Sequence, residues 1–413
     1  MFEKPGDIRA ALRTIMRYTD HNILSNTFVA FLFMHTGPIA ILLSAAQAGG
    51  LAESEMISWL FAGYGIGGVI TVLLSLLYRQ PFAVAWSLPA AAIMGASLQH
   101  LSFPQVVGAY LITGLIITTI SLTGLTRKAM DLIPIPIVMG MVAGLFLPFC
   151  LKLVTTFTLD PLLAAVTIAA FLLVTSGALP AKFVPSVLLA AIAGIIVSAL
   201  RGDFSAVQPL SISMTRPLIY LPEFNAAAIL ELVLPLTVSV IGIQNTQGIA
   251  ILRSEGYDPP VNVMTMASGL GSLAMGILGS VPACITGPVS ALLNSSGEKK
   301  ARYTGSFYLG CLMILSALFA PVAIGLALLI PANLIALLGG LALLKILMDS
   351  FQSAFQGKFL MGALVSFLVT VSNITAFNIG SAFWGLIAGC LISYITEPSS
   401  FRENLSPPQR KTV

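Results

Sequence analysis

The sequence predicts an all-α polytopic membrane protein with fourteen transmembrane segments, arranged as two inverted repeats of seven. Of its 413 residues 57% are apolar and only 9% are charged, and the mean hydropathy is +0.96. Soluble domains carry about 25% charged residues, so this composition excludes a water-soluble globule. The four cysteines all lie within apolar stretches and no CxxC motif occurs, which indicates small packing residues and neither disulfides nor a metal site.

Apolar stretches long enough to span a bilayer recur along the whole chain. A helix needs about 20 apolar residues to cross a hydrocarbon layer about 30 Å thick. One long connection, 201–225, divides these stretches into seven and seven. The predicted segments are 23–46, 55–78, 82–100, 103–124, 131–152, 161–178, 183–200, 226–252, 261–279, 281–297, 303–322, 326–347, 358–376 and 379–396.

The basic residues support this count and give it an orientation. With both termini in the cytoplasm, only Lys152, Arg201 and Arg216 of the 20 lysines and arginines fall on the outer side. This is the asymmetry that the positive-inside rule predicts. Residues 1–22 then form a cytoplasmic, amphipathic lead-in and residues 397–413 a cytoplasmic tail. Because seven is odd, the second half enters the membrane from the opposite side, so the repeats are inverted.

Segments three and ten are predicted to be broken into a short strand and a half-helix. Each has a hydroxyl residue in a cap position and a proline in the first helical turn, where proline removes no hydrogen bond. In inverted halves the two helix N-termini meet near mid-membrane, and their free N–H groups would bind an anion. The alternative is that both prolines only kink ordinary spanning helices. The matching residues are Ser87, Leu88 and Pro89 in segment three and Thr286, Gly287 and Pro288 in segment ten.

A polar cluster in segment eight is the second candidate for substrate contact. Gln244, Asn245, Thr246 and Gln247 interrupt an otherwise apolar stretch. Polar side chains at this depth are costly and usually face the interior of the bundle. We expect Gln244 and Asn245 to donate hydrogen bonds to substrate, with Gln247 in support. The alternative is hydrogen bonding between helices, worth about 1 kcal/mol.

The proton-coupling candidate is His35 in segment one, with Thr36 beside it, because an imidazole titrates near neutral pH. A hydrogen-bonded packing role for His35 is equally compatible with the sequence. Asn294 on the second half-helix either closes the site or pairs helices. Glu231 lies near a predicted segment end, which favours a capping or snorkelling role.

Three runs in the second half closely resemble the benzoate:proton symporter family: GIQNTQGIAILRSEGYDPPVN, VPACITGPVSALLN and GEKKARY. This family is related to uracil and other nucleobase, sulfate and bicarbonate transporters. The resemblance implies a site between segments three and ten, a possible dimer through a gate domain, and two domains that move against each other. It implies a core of 23–124 and 226–322 and a gate of 131–200 and 326–396. Nucleobase relatives carry a glutamate on segment eight, which this chain replaces with Gln244 and Asn245.

The predicted function is a secondary active transporter in a cell inner membrane that imports benzoate or a similar aromatic carboxylate with a proton, by alternating access. The carboxylate would lie between the two half-helices, and Trp86 and Phe33 would pack against the ring. No cofactor, metal or nucleic acid is expected. The alternatives are a transporter of another small organic anion or a nucleobase, and an anion channel on the same scaffold. An enzyme is not indicated, since no intramembrane acid pair, metal cluster or activated nucleophile is evident.

Overall fold

The computed structural model is mostly helical and describes residues 2–126, 128, 130, 134–178, 185–203, 213–295, 297–377 and 379–400. Part of the predicted linker, 204–212, and most of the predicted tail, 401–413, lie outside the described residues. The elements of the first half are α1 (Ile8–Tyr18), α2 (His21–Gly49), α3 (Glu53–Tyr78), β1 (Val84–Trp86), α4 (Leu88–Ser97), α5 (Phe103–Leu122), α6 (Ile135–Leu159), α7 (Pro161–Thr175) and α8 (Ser186–Arg201). Those of the second half are α9 (Ala226–Ser254), α10 (Val261–Ile277), β2 (Ala283–Ile285), α11 (Gly287–Asn294), α12 (Tyr303–Leu318), α13 (Ala320–Leu328), α14 (Ala332–Ala354), α15 (Leu360–Val371) and α16 (Ser381–Thr396).

Six of the described helices, α2, α3, α5, α6, α9 and α14, are long and apolar enough to cross a membrane. Helices α12 and α13 make a seventh candidate if they count as one span, although they meet at 73°. Another six apolar helices are shorter than 18 residues. The fourteen-span count therefore remains a prediction, whereas the membrane character of the chain is clear.

The structure corrects the predicted boundaries of segments eleven and twelve. A single segment was predicted over 303–322, but α12 ends at Leu318 and α13 turns away. Pro321 in the first turn of α13 cannot continue the preceding helix. Thr215 of the linker bonds to the backbone on both sides of this break, since its amide donates to Leu318 O at 2.9 Å and its hydroxyl accepts from Ala320 N at 3.2 Å.

Segment five also differs from its predicted limits of 131–152, because α6 runs from Ile135 to Leu159. Pro134 occupies the cap position and Pro136 the first turn, where both are tolerated. Pro148 lies inside the helix without ending it.

The strand-and-half-helix units are present in both halves, as the sequence predicts. Strands β1 and β2 pair antiparallel, with Ala85 opposite Cys284 at the centre of the ladder. A hydroxyl from the preceding helix supports each strand. Thr71 Oγ1 on α3 accepts from Val84 N at 2.9 Å, and Ser272 Oγ on α10 accepts from Ala283 N at 3.0 Å.

Packing in the first half is repeated in the second, and two of the repeated contacts cross between the halves. Helix α4 packs on α2 as α11 packs on α9, and α5 packs on α10 as α12 packs on α3. Helices α6 and α14 pack on each other, α15 packs on α6 and α16, and α7 packs on α8. The pattern separates a group around the ladder (α2–α5 and α9–α12) from a second group (α6–α8 and α14–α16). The two groups meet where α14 lies against α2 and α6 lies against α4.

The two ends of the molecule differ in charge. One end, here called the inner end, gathers Arg79, Lys299 and Lys300 around a shared surface with Tyr18 and Tyr257. Helix α1 lies at this end and packs Ala11 and Ile15 against Leu76 and Tyr303, while Arg9, Arg13 and Arg17 are exposed. The opposite, outer end carries Lys152 and the Arg201–Asp160 ion pair.

Candidate functional site

The ladder places the starts of α4 and α11 on either side of one cavity. Ser87 N donates to Pro282 O at 3.0 Å, and Thr286 N donates to Ala83 O at 2.9 Å. The residue after each bond is the first of a short helix. The antiparallel register therefore sets the two helix starts at opposite ends of the ladder, with their N-termini turned toward each other.

Each short helix leaves one amide without an acceptor inside the helix. Ser87 Oγ caps Ala90 N, and Thr286 Oγ1 caps Val289 N, each at 3.4 Å. The residue before each capped amide is a proline, Pro89 or Pro288, and has no N–H. Because the first N–H groups of a helix have no intrahelical partner, the amides of Leu88 and Gly287 are the donors that remain.

A cavity of about 490 Å³ lies between the ladder group and the second helix group. Its walls come from α2, α3, β1, α4, α9 and α11 on one side and from α6 and α14 on the other. Size and predominantly apolar lining match pockets that bind small molecules. Eight predicted site residues line it: Phe33, Trp86, Leu88, Pro89, Gln244, Gln247, Thr286 and Pro288.

An aromatic wall forms one side of the cavity. Trp86 stacks on Tyr64 with ring centroids 4.6 Å apart and an interplanar angle of 27°. Pro38 in α2 has no N–H to donate to Met34 O, and the hydroxyl of Tyr64 donates to that carbonyl instead. Tyr64 was missed in the sequence because nothing local distinguishes it from other buried aromatic residues.

Trp86 is held against the backbone of α3. A Cβ placed on Gly63 would lie 2.2 Å from Trp86 Cε3, so the indole fits only because residue 63 is a glycine. Gly63 lies in a π-helical turn, Ala62–Ile66, of a kind often found at functional sites. The glycine-rich face of segment two thus supports the aromatic wall.

The structure separates the roles of two adjacent residues that the sequence grouped together. Gln244 lines the cavity. Asn245 is fully buried behind the wall, where its Oδ1 accepts from Ile285 N at 2.9 Å and its Nδ2 donates to Ser268 Oγ at 3.1 Å. Asn245 therefore positions β2 in place of the predicted direct contact with substrate.

Gln247 lies at the start of α11. A Cβ on Gly287 would come within 2.5 Å of Gln247 Oε1, so this side chain packs directly on the glycine. Gln247 is itself exposed to the cavity. Gly287 and Ser87 do not line the cavity, since both are buried and contribute backbone and cap. Their predicted part in binding the carboxylate, through the helix starts, stays a prediction.

His35 does not line the cavity and lies behind Tyr64, which does. Its ring stands 4.9 Å from Tyr64, its Nδ1 is 2.9 Å from Phe31 O, and its Nε2 is 2.6 Å from Ser316 Oγ. Both nitrogens are thus occupied, in keeping with the packing alternative. Thr36 donates back into its own helix, to Leu32 O and Phe33 O. Direct proton exchange between His35 and the cavity has no support in this geometry.

Asn294 pairs elements away from the cavity. Its Nδ2 donates to Pro81 O at 2.9 Å and to Ser290 O at 2.7 Å. Of the two predicted roles for Asn294, the structure agrees with the pairing of elements.

The second helix group contributes residues that sequence reasoning did not select. Ile135, Met139 and Val142 on α6 face the cavity together with a mixed set from α14. The α14 set is Ala342, Lys345, Ile346, Asp349, Ser350 and Ser353. Their apolar or surface-like sequence context carries no local signal, since only the packing of α14 across α2 brings them to the ladder.

The cavity opens toward the inner end. Gln247, Ala250, Ala291 and Lys345 on its rim are exposed. Lys345 Nζ lies 3.9 Å from Asp349 Oδ2, in a solvent-exposed pair one helical turn apart. Two smaller cavities of about 240 and 360 Å³ at the outer end share no lining residue with the large one. Among the described residues no cluster of His, Cys, Asp or Glu could hold a metal ion.

Comparisons with known proteins agree with this architecture. The structure resembles the transmembrane domain of the cyanobacterial bicarbonate transporter BicA, with a TM-score of 0.62 over 89% of this chain and 96% of that one, at 15% identity. It also resembles SLC26A9, with a TM-score of 0.60 over 94% of this chain and 67% of that one, at 12% identity. At these identities the likeness shows the fold alone.

Sequence comparison identifies the family. The chain is 31% identical to "Benzoate membrane transport protein" of Acinetobacter baylyi over 89% of its length and 93% of that protein. It is also 31% identical to "Inner membrane protein YdcO" of Escherichia coli, over 88% of its length and 92% of that protein. The family model for benzoate membrane transport protein matches residues 18–395. The chain is therefore a membrane protein of the benzoate membrane transport protein family.

Proposed function

We propose that this protein is a secondary active transporter that imports benzoate or a similar aromatic carboxylate together with a proton. The observation that carries the proposal is the antiparallel ladder, which sets two helix N-termini around one mostly apolar cavity beside an aromatic wall. N-terminal amides and a positive dipole end attract an anion without a buried arginine. The aromatic wall supplies stacking partners for a ring.

The ladder register supports a ligand longer than a carboxylate group. Ser87 lies opposite Pro282, and Thr286 lies opposite Ala83. The two helix starts are therefore separated along the ladder by the four residue steps from Ala83 to Ser87. At about 3.3 Å per residue this is roughly 13 Å. A hydrogen bond spans about 2.9 Å at each end, so a lone carboxylate cannot bridge both helix starts. An aromatic carboxylate fills this length with a charged end and a ring.

The two ends of the site are chemically different, which gives the ligand a direction. Gln247 lies at the α11 end, against Gly287. At the other end of the site, Trp86 lies just before the start of α4 and stacks on Tyr64. We therefore place the carboxylate toward Gln247 and the ring toward Trp86, with Gln244 as a further side-chain donor.

Transport in this proposal is by alternating access. The ladder group acts as the core (23–124 and 226–322), and the second helix group acts as the gate (131–200 and 326–396). The cavity opens toward the inner end and shares no lining residue with the outer cavities, which favours a carrier in an inward-open state over a channel. Fourteen spans in inverted repeats, cytoplasmic termini and an inner-membrane location complete the proposal, and the charge distribution supports the orientation. A homodimer through the gate remains a hypothesis.

The decisive experiment measures uptake of radiolabelled benzoate by the purified protein in lipid vesicles, with and without an inward proton gradient. Saturable uptake that the gradient accelerates is expected. A matched control uses benzamide, which keeps the ring and lacks the charge, and should compete poorly. Accumulation of a different anion without benzoate uptake would reject the substrate, and unsaturable flux would favour the channel.

A further inference from the structure

Glu231 is a buried carboxylate at the outer end, far from the substrate cavity. The sequence favoured a capping or snorkelling role, but only 1% of the residue is exposed. Its Oε1 accepts from Ser97 Oγ, and its Oε2 lies 2.8 Å from His100 Nε2. Burying a carboxylate is expensive unless it is paired and hydrogen-bonded, so this cluster needs an explanation beyond packing.

The cluster lies at the boundary between the two helix groups. Ser97 is the last residue of α4 and Glu231 lies in the first two turns of α9, both in the ladder group. On the other side, a Cβ placed on Gly380 would lie 2.7 Å from Glu231 Oε1. Gly380 precedes α16 and gives its N-terminus no side-chain cap. The carboxylate therefore touches the second helix group at a helix N-terminus, where negative charge is favourable.

Few other charged groups face Glu231 from the elements packed around it. His100 is the titratable partner after α4, while α16 and α6 present Gly380, Ser381 and Leu145 to the shared cavity. Helix α5, which also packs on α9, carries Tyr110 and neither acid nor base. Lys152 on α6 lines the neighbouring outer cavity with Gln99. The charge of the site is thus set by Glu231 and His100.

We propose that Glu231 and His100 form a proton-binding site that controls closure of the outer end. With no proton on either group the pair carries one negative charge, and closing the outer end would bury that charge. With one proton the pair is neutral overall, as carboxylate and imidazolium or as carboxyl and imidazole. Closure therefore takes up a proton from the outer water, and no other bond forms or breaks.

This site is mechanically connected to the substrate cavity, although it is separate from it. Helix α4 begins at the cavity and ends at Ser97, and α9 carries both Glu231 and Gln244. Ten residues of helix make a rigid rod of about 15 Å. The inference rests on alternating access as proposed above, in which the core moves as one body. Protonation at the outer end then biases which end of the substrate cavity is open.

The direction of the pH dependence follows from the number of protons that each form binds. Because the closed form binds one proton more than the open form, the closed-to-open ratio falls by up to about tenfold per pH unit as the pH rises.

The test measures distances in the full-length protein in lipid nanodiscs, without substrate. All four cysteines are replaced by alanine, and spin labels are attached after Ser54→Cys and Ser372→Cys. Both positions are exposed at the outer end, one on α3 and one after α15. Pulsed dipolar spectroscopy then gives the closed-to-open ratio as a function of pH.

The parent should shift from the short to the long distance as the pH rises. Glu231→Gln keeps the shape and removes the negative charge, so it should remain closed at the higher pH values where the parent opens. Glu223→Gln is the matched control, because Glu223 is an outer-end carboxylate outside the cluster. Its Oε1 accepts a hydrogen bond of 3.1 Å from Gln105 Nε2. This variant should behave like the parent. A parent ratio independent of pH, or an unchanged pH dependence in Glu231→Gln, would overturn the proposal.

His100→Asn provides a second test if Glu231→Gln does not fold. Without the imidazole the proton loses the partner 2.8 Å from Glu231 Oε2, so the transition should shift along the pH axis. An unshifted transition would overturn the proposal. Because the samples contain no substrate, failed benzoate uptake leaves this result standing, and failure here leaves the uptake result standing.

Discussion

The adjacent residues Gln244 and Asn245 offer the sharpest test of the site. Alanine at position 244 removes a side-chain donor that lines the cavity. Alanine at position 245 removes the acceptor for Ile285 N, which is fully buried. The two substitutions should therefore affect different properties.

The magnitudes follow from the contacts. A hydrogen bond to a charged group contributes about 1.5–3 kcal/mol. At about 1.4 kcal/mol per tenfold change, Gln244→Ala should weaken benzoate binding about 10- to 100-fold and leave the free energy of unfolding unchanged. Asn245→Ala leaves a buried N–H without an acceptor and should cost about 1–3 kcal/mol of unfolding free energy. Its effect on binding should be indirect, through displacement of β2 and the start of α11.

Both quantities can be measured on the same purified samples. Isothermal titration with benzoate gives the dissociation constant, and denaturant unfolding in mixed micelles gives the stability. The reasoning fails if Asn245→Ala unfolds like the parent while losing benzoate binding, or if Gln244→Ala destabilises the fold.

Two further predictions concern the aromatic wall and the outer end. Gly63→Ala should displace Trp86, at a cost typical of overpacking, about 1–3 kcal/mol, and should weaken benzoate binding at least tenfold. Gly65→Ala is its control, since a Cβ there meets Ala317 Cβ at an ordinary 3.4 Å; equal losses in both variants would contradict the steric argument. At the outer end, partial burial opposes ionisation of Asp160, but its hydrogen bonds to Arg201 and the α7 backbone hold the pKa of this carboxyl below its usual value. Because the pKa is lower in the folded state, ionised Asp160 stabilises the fold at pH values above the pKa of the unfolded state. This stabilisation is lost as the pH falls through the pKa of the folded state. Thermal unfolding should show Asp160→Asn less stable than the parent at neutral pH, by no more than about 1 kcal/mol for so exposed a pair. The difference should shrink as the pH falls below the unperturbed aspartate pKa of about 3.9.

Local sequence signals were enough to find the half-helices. A hydroxyl cap and a first-turn proline act within four residues, so Ser87 and Pro89, like Thr286 and Pro288, could be recognised without any tertiary information. The apolar composition and the asymmetry of basic residues likewise depend on the solvent that each segment meets. Membrane character, the two broken units and the family resemblance follow from such features.

Orientation and distant partners required the tertiary structure. The π-helical turn Ser239–Asn245 alters the angular spacing of α9, so regular 100° steps do not show that Gln244 faces the cavity while Asn245 faces β2. Glu231 and His100 are 131 residues apart, and the α14 residues reach the cavity only through packing across α2. The chain by itself determined its membrane character and the starts of the two half-helices, because those choices are governed by nearby backbone and solvent. Which side chains share a cavity was decided by the ladder register and by helix packing between the two halves, because contacts across such long separations exist only once the chain has folded.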